Sequence, residues 1–187
     1  MNLSVKDMAL CALFAALISI GAVLSIPLPG GVPFSIQPIF AMLAGVILGS
    51  KRGAISMTVY TLMGLAGLPV FSNLMGGFAI VKTPKFGYIL GFILCAYVTG
   101  KIVEFFKNRK SKVGYFIGPL VGICLTYLLG VPYLYMIFYL SSDGAITWPL
   151  ALTYGFYPFI VLDLLKVALV ILLSLTLVPR LEKMDLY

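Results

Sequence analysis

The sequence contains no histidine. That absence removes histidine-activated nucleophiles and histidine-ligated metal centres in one step. Acids are scarce as well: Asp7, Glu104, Asp143, Asp163, Glu182 and Asp185 are the only six. Asp7, Glu104, Glu182 and Asp185 flank apolar runs, so no pair of carboxylates is placed for acid–base catalysis, and the chain reads as a non-enzyme. The three cysteines, Cys11, Cys95 and Cys124, lie inside apolar runs, are odd in number and lack ligand spacing. They form neither a disulfide framework nor a zinc site and read as small hydrophobes. No G-x-x-x-x-G-K-[ST] phosphate loop occurs, so any ATP-driven step belongs to other chains. Charge of either sign is thin: charged residues are 10% of the 187, against about 25% in soluble domains.

What is present is hydrocarbon. Apolar residues make up 61% of the chain and the mean hydropathy is +1.11. The pattern predicts an all-α integral membrane protein, a single transmembrane domain over residues 1–187 with six spans. The net charge of +7 is spread between apolar runs rather than gathered in a stripe. That argues for a lipid bilayer and against a nucleic acid as the partner.

Residues 8–26 form the first run. It is long for a signal-peptide core and no small-residue cleavage site follows, so it is read as a retained helix. Ala12 and Ala16 stand four apart and allow close helix approach, either to a neighbouring helix or to another membrane subunit. Pro27-Leu-Pro-Gly-Gly-Val-Pro33 breaks this helix. Further helices are expected over 37–49, 54–68 after a basic turn at 49–53, 86–106, 114–140 with kinks at Pro119 and Pro132, and from 150 or 156 to 178. The connection 69–85 is too long for a minimal turn, and its apolar residues predict that it folds back on the bundle.

Asp163 and Lys166 put an acid and a base inside the last run, spaced to share a helix face. Charges at membrane depth face a partner or a cavity. The pair therefore serves either helix packing or a polar ligand site, and the residues around it favour the site. Lys6, Lys51, Arg52, Lys101, Lys107, Arg109, Lys110, Lys112, Arg180 and Lys183 fall on one side of a six-span topology, and only Lys82 and Lys85 on the other. That asymmetry predicts both termini in the cytoplasm. Gln37, Asn73, Lys82, Lys85, Tyr88, Asp163 and Lys166 then gather at or below the outer surface, Asp163 about 10 Å deep. Phe34, Phe71, Tyr154, Phe156 and Tyr157 supply aromatic walls, some of them belonging to an interfacial belt.

Pro33-Phe-Ser-Ile-Gln37, Leu65-Ala-Gly-Leu-Pro-Val-Phe71, Gly76-Gly77 followed by Gly87-Tyr88-Ile-Leu-Gly91-Phe92, and Pro158-Phe159 with Asp163-Leu-Leu-Lys166 together resemble the BioY family. These are the biotin-specific S components of energy-coupling factor (ECF) transporters, and the resemblance runs in order over nearly the whole chain. One stretch departs from the family pattern. Thr83-Pro-Lys-Phe-Gly-Tyr88 stands where Gly-Pro-Thr-Gly-Gly-Tyr is usual, and it puts Lys85 at a customarily neutral position.

The resemblance implies six helices in the bacterial plasma membrane, an outward-facing biotin site and no cofactor of the chain's own. It also implies three partner subunits, a transmembrane coupling protein (the T component) and two ATPases that use the ATP. Ala12 and Ala16 match the family's docking face for the coupling protein. The expected ligand residues are Asp163, Lys166, Asn73, Gln37, Lys85, Tyr88, Tyr157 and Phe34. A carboxylate or an amide suits the ureido group of biotin, and a lysine suits its carboxylate. Asp163 and Lys166, about 5–6 Å apart at Cβ, are too close to hold opposite ends of biotin. They serve one end, and Lys82 or Lys85 the other. A stand-alone carrier driven by an ion gradient, or a membrane enzyme acting on lipids, are the competing readings. The first has only Asp163 deep enough to couple an ion, and the second lacks a catalytic constellation.

Overall fold

Ser4 starts the first helix, α1 (Val5–Val23), with a reciprocal cap. Its hydroxyl accepts from the Asp7 amide at 3.1 Å, and its own amide donates to the Asp7 carboxylate at 3.1 Å. The structure, a computed structural model, describes residues 4–109, 111–141 and 146–183; Lys110, Asp143 and Asp185 lie outside them. The helix ends at Val23, short of residue 26, because Ser25–Ile26 (β1) pairs antiparallel with Phe34–Ser35 (β2). The proline- and glycine-rich stretch is the turn of this ribbon.

Helix α2 (Gln37–Leu48) opens with Pro38 in its first turn, where a missing amide hydrogen is harmless. The basic turn expected over 49–53 shrinks to one residue. Gly49, at φ 81° and ψ 177°, reverses the chain in a conformation reserved for glycine, and α3 (Ser50–Leu65) begins at once. Glu104, from the fourth helix, caps α3 in trans: the amide and hydroxyl of Ser50 donate to its Oε1 at 2.7 and 2.9 Å. Segment 69–84 makes two short 3-10 turns, Ser72–Leu74 and Phe78–Lys82. It is fastened to the bundle by Phe71, buried edge-on against Tyr60 at 5.4 Å between ring centroids.

Two long consecutive helices, α4 (Lys85–Asn108) and α5 (Gly114–Ser141), run antiparallel in close contact. A Cβ placed at Gly91 would stand 2.9 Å from the Thr126 Cα, and one at Gly122 would stand 2.9 Å from the Cys95 sulfur. Glycine is what lets the two backbones approach this closely.

The last expected span is two helices, α6 (Trp148–Gly155) and α7 (Tyr157–Lys183), separated by Phe156 at φ −129°. Pro158, in the first turn of α7, has no amide hydrogen for the carbonyl one turn back, and the chain leaves helical geometry just before it, at Phe156. Seven α-helices thus stand among the described residues where six were expected. Four of them, α1, α4, α5 and α7, are long and apolar enough to cross a membrane, and α2 is a shorter apolar helix.

Around an apolar core, the outer surface departs from that of a soluble domain. Leu128, Leu165 and Leu172 are exposed while Asp163, Lys166 and Ser174 are buried. Hydrocarbon outside and charge inside is the arrangement a bilayer selects. One end of the bundle is laced by polar contacts: Arg52 to Asp7 at 2.7 Å joins α3 to α1, and Lys107 to Glu182 at 3.2 Å joins α4 to α7. The cavity lies at the other end.

Candidate ligand-binding site

The start of α2, the end of α3, segment 69–84, the first turns of α4, the middle of α5 and the first half of α7 surround a cavity of about 590 Å³, its open mouth included. Its wall is mainly apolar and aromatic, interrupted by three groups of polar side chains.

The first group is the acid–base pair. Asp163 and Lys166 are 5% and 7% exposed, and Lys166 Nζ donates to Asp163 Oδ1 at 2.5 Å. Spacing i, i+3 on α7 makes this contact, as the sequence predicts. Tyr127, on α5, donates its hydroxyl to the other oxygen, Oδ2. Each carboxylate oxygen therefore has one protein donor, and a carboxylate with about four acceptor positions keeps capacity for a ligand N–H. Lys166 Nζ also lies 4.1 Å from the centroid of the Phe34 ring, which steadies the cation from a second side. The charges of the pair offset each other, which is how charges survive away from water.

The second group is uncharged. Gln37 Nε2 donates to the Tyr60 hydroxyl at 2.7 Å, and its Oε1 accepts from Ser35 Oγ at 3.1 Å and from Ser72 Oγ at 3.5 Å. All four side chains line the cavity. The third is Lys85, half-buried at the start of α4, whose Nζ approaches only the Met75 sulfur, at 3.5 Å, and meets no carboxylate among the described residues. It is a cation in the wall with a free valence for an anion.

Tyr88 contributes its ring. Its hydroxyl is committed to the Gly155 carbonyl at 2.7 Å, while the ring stands edge-on to Tyr127 at 6.3 Å. Asp163, Lys166, Gln37, Lys85 and Tyr88 thus share one wall, with Phe34 touching it through Lys166. Asn73 and Tyr157 do not. Asn73 is exposed at φ 63° in the first 3-10 turn, and Tyr157 is 58% exposed at the head of α7. Lys82 is exposed in the second 3-10 turn. Ala12 and Ala16 are exposed on α1, away from the cavity.

Sequence reasoning missed Tyr127, Ser35, Tyr60 and Ser72. Tyr127 sits in an apolar run with nothing local to mark it. The available signal was indirect, since a buried tyrosine hydroxyl needs a partner and Asp163 is the one acid deep in a span. Among the described residues no cluster of three or more metal-ligating side chains occurs. The chemistry on offer is recognition: an apolar body, N–H donors or a carbonyl at the neutral and paired groups, and an anion at Lys85.

A family model described as the BioY family matches residues 1–183. The biotin transporter BioY of Thermotoga maritima is 36% identical over 180 residues, which is 96% of this chain and 98% of that protein. Biotin transporter BioY2 of Lactococcus lactis subsp. cremoris is 29% identical over 188 residues, covering 100% of this chain and 97% of its own length. Among solved structures, the S-component for biotin from an ECF-type ABC transporter superposes with a TM-score of 0.79 at 28% identity, over 96% of this chain and 92% of that one.

Proposed function

The chain belongs to the BioY family, and from that premise we propose that it is the membrane-embedded S component of an ECF-type transporter. It captures biotin at the outer face and delivers it inward with a T component and two ATPase subunits. The observation that carries this reading is the division of the cavity into a neutralised acid–base pair and a separate unpaired lysine, with aromatic and aliphatic wall between. Biotin has the matching make-up: a ureido head with two N–H donors and a carbonyl, an apolar bicycle and chain, and a terminal carboxylate. In this assignment Asp163 and Lys166 serve the ureido head, Gln37 lies within reach of it, Phe34 and Tyr88 flank it, and Lys85 takes the carboxylate.

The chain holds no cofactor in this scheme, since ATP is spent by the partners. Six crossings result if α2 and α3 each span and α6 and α7 share the last. The lysine and arginine asymmetry then sets both termini in the cytoplasm. Ala12 and Ala16, small and exposed, offer α1 to the T component.

Calorimetric titration of the purified chain with biotin in detergent tests the function. Saturable one-to-one binding is expected, and an isolated chain with no biotin heat overturns the assignment. A cysteine introduced at Leu74 in a cysteine-free chain should be labelled from outside intact cells, and one at Arg109 only after permeabilisation. The reverse pattern inverts the orientation.

A further inference from the structure

The end of the bundle opposite the cavity sorts its cations into two kinds. Arg52, Lys107 and Lys101 each face a carboxylate: Asp7 at 2.7 Å, Glu182 at 3.2 Å and Glu104 at 3.9 Å. Arg109 and Lys112, in the turn between α4 and α5, face none among the described residues and are exposed. Arg109 is nevertheless held in place, with its guanidinium carbon 4.3 Å from the centroid of the Phe105 ring. Phe105 stands edge-on to Phe106 at 5.4 Å. Around these cations the exposed surface is apolar: Phe105, Val113, Phe116 and Ile117 all present large hydrocarbon area. The turn spans only residues 109–113, too short to lift its charges off the membrane surface.

We propose that the α4–α5 turn binds the headgroup phosphate of an anionic phospholipid, with Arg109 and Lys112 on the phosphate and the Phe105, Phe116 and Ile117 side chains against the upper acyl chains. Cations beside exposed hydrocarbon match a molecule that is itself an anion attached to hydrocarbon. Contact with the Phe105 ring holds the guanidinium beside exposed hydrocarbon, the neighbourhood a lipid phosphate shares. The first-turn amides of α5, which opens at Gly114, add positive potential to the same turn, while Lys107 and Arg109 offset the carbonyl end of α4. A cytoplasmic protein partner would be drawn by the charge but has no use for the hydrocarbon rim.

The experiment is thermal unfolding of the purified full-length chain in a neutral detergent, titrated with dioctanoyl phosphatidylglycerol. The lipid should stabilise the chain saturably, and dioctanoyl phosphatidylcholine should do so far less. Arg109→Gln with Lys112→Gln should raise the half-maximal phosphatidylglycerol concentration at least about tenfold, at roughly fivefold per cation. Lys6→Gln with Lys51→Gln removes the same charge from the same end and should leave the response near that of the wild type. Undiminished biotin binding shows that each variant is folded. No phosphatidylglycerol response in the wild type, or an unchanged one in the Arg109/Lys112 variant, overturns the proposal. So does equal stabilisation by glycerol phosphate, which would mark a soluble-anion site. Loss of ATPase copurification in that variant with its lipid response intact would assign the turn to a protein partner instead.

Discussion

Tyr127 of α5 and Asp163 of α7 are joined by a buried hydrogen bond from phenol to carboxylate. Two helices distant in sequence thereby share one charge. Tyr127 is itself wedged between aromatic edges, Phe156 at 5.0 Å and Tyr88 at 6.3 Å. The orientation of the carboxylate is thus set from three sides: by α5 through Tyr127, by its own helix through Lys166, and by the ring packing around the phenol.

Tyr127→Phe keeps the ring and deletes the donor. A hydrogen bond to a charged group is worth about 1.5–3 kcal/mol, and the bereft carboxylate oxygen stays buried. The variant should unfold at lower denaturant and bind biotin more weakly. Wild-type values for both would show that the phenol leaves Asp163 indifferent.

Asp163→Asn strands Lys166 beside the Phe34 ring, and losing one member of a buried pair costs about 3–5 kcal/mol. Adding Lys166→Met removes the stranded charge and should return most of that stability. Biotin affinity should not return with it, falling roughly ten- to a hundredfold for the loss of a charged partner. A stable double variant with wild-type affinity would leave the pair a packing role alone.

Lys85→Met should weaken biotin binding and erase the preference for biotin over its methyl ester, which has no anionic end. Lys82→Met, at an exposed position outside the cavity, should leave both as they are. If the ester preference survives in the Lys85 variant, the ligand carboxylate lies elsewhere.

Ala12→Trp or Ala16→Trp places a bulky ring on the exposed face of α1. Biotin binding by the isolated chain should persist while uptake in cells and copurification of the T component are lost. Binding lost together with uptake would mean that this face packs inside the chain's own bundle.

Long apolar runs were readable because each span must be hydrocarbon for its whole length, and the Asp163–Lys166 contact was readable because helix geometry alone makes it. The ends of elements were harder. Gly49 reverses the chain in one residue because its φ of 81° is open to glycine, so the lysine and arginine that looked like a turn became the first turn of α3. The last apolar run, expected as one span from 150 or 156 to 178, divides at Phe156. The polar group around Gln37 joins four side chains from the ribbon, α2, α3 and segment 69–84, and no spacing rule connects such positions. Tyr127 is the sharper case: its partner lies 36 residues away, and only the packing of α5 on α7 brings them together. Asn73 and Tyr157 were grouped with the site by depth in the membrane, a coordinate that does not say which way a side chain turns.

The glycine seam between α4 and α5 has a consequence for selectivity. A Cβ at Gly130 would run into the Tyr88 ring, the same ring that lines the cavity and is tethered to Gly155. One wall of the ligand chamber is therefore positioned by a hydrogen atom on the far side of it. A methyl group at that position would collide with the tyrosine ring, so the ring or the helix carrying it has to shift. Sequence change along this seam tunes which molecules fit by altering a gauge set behind the wall.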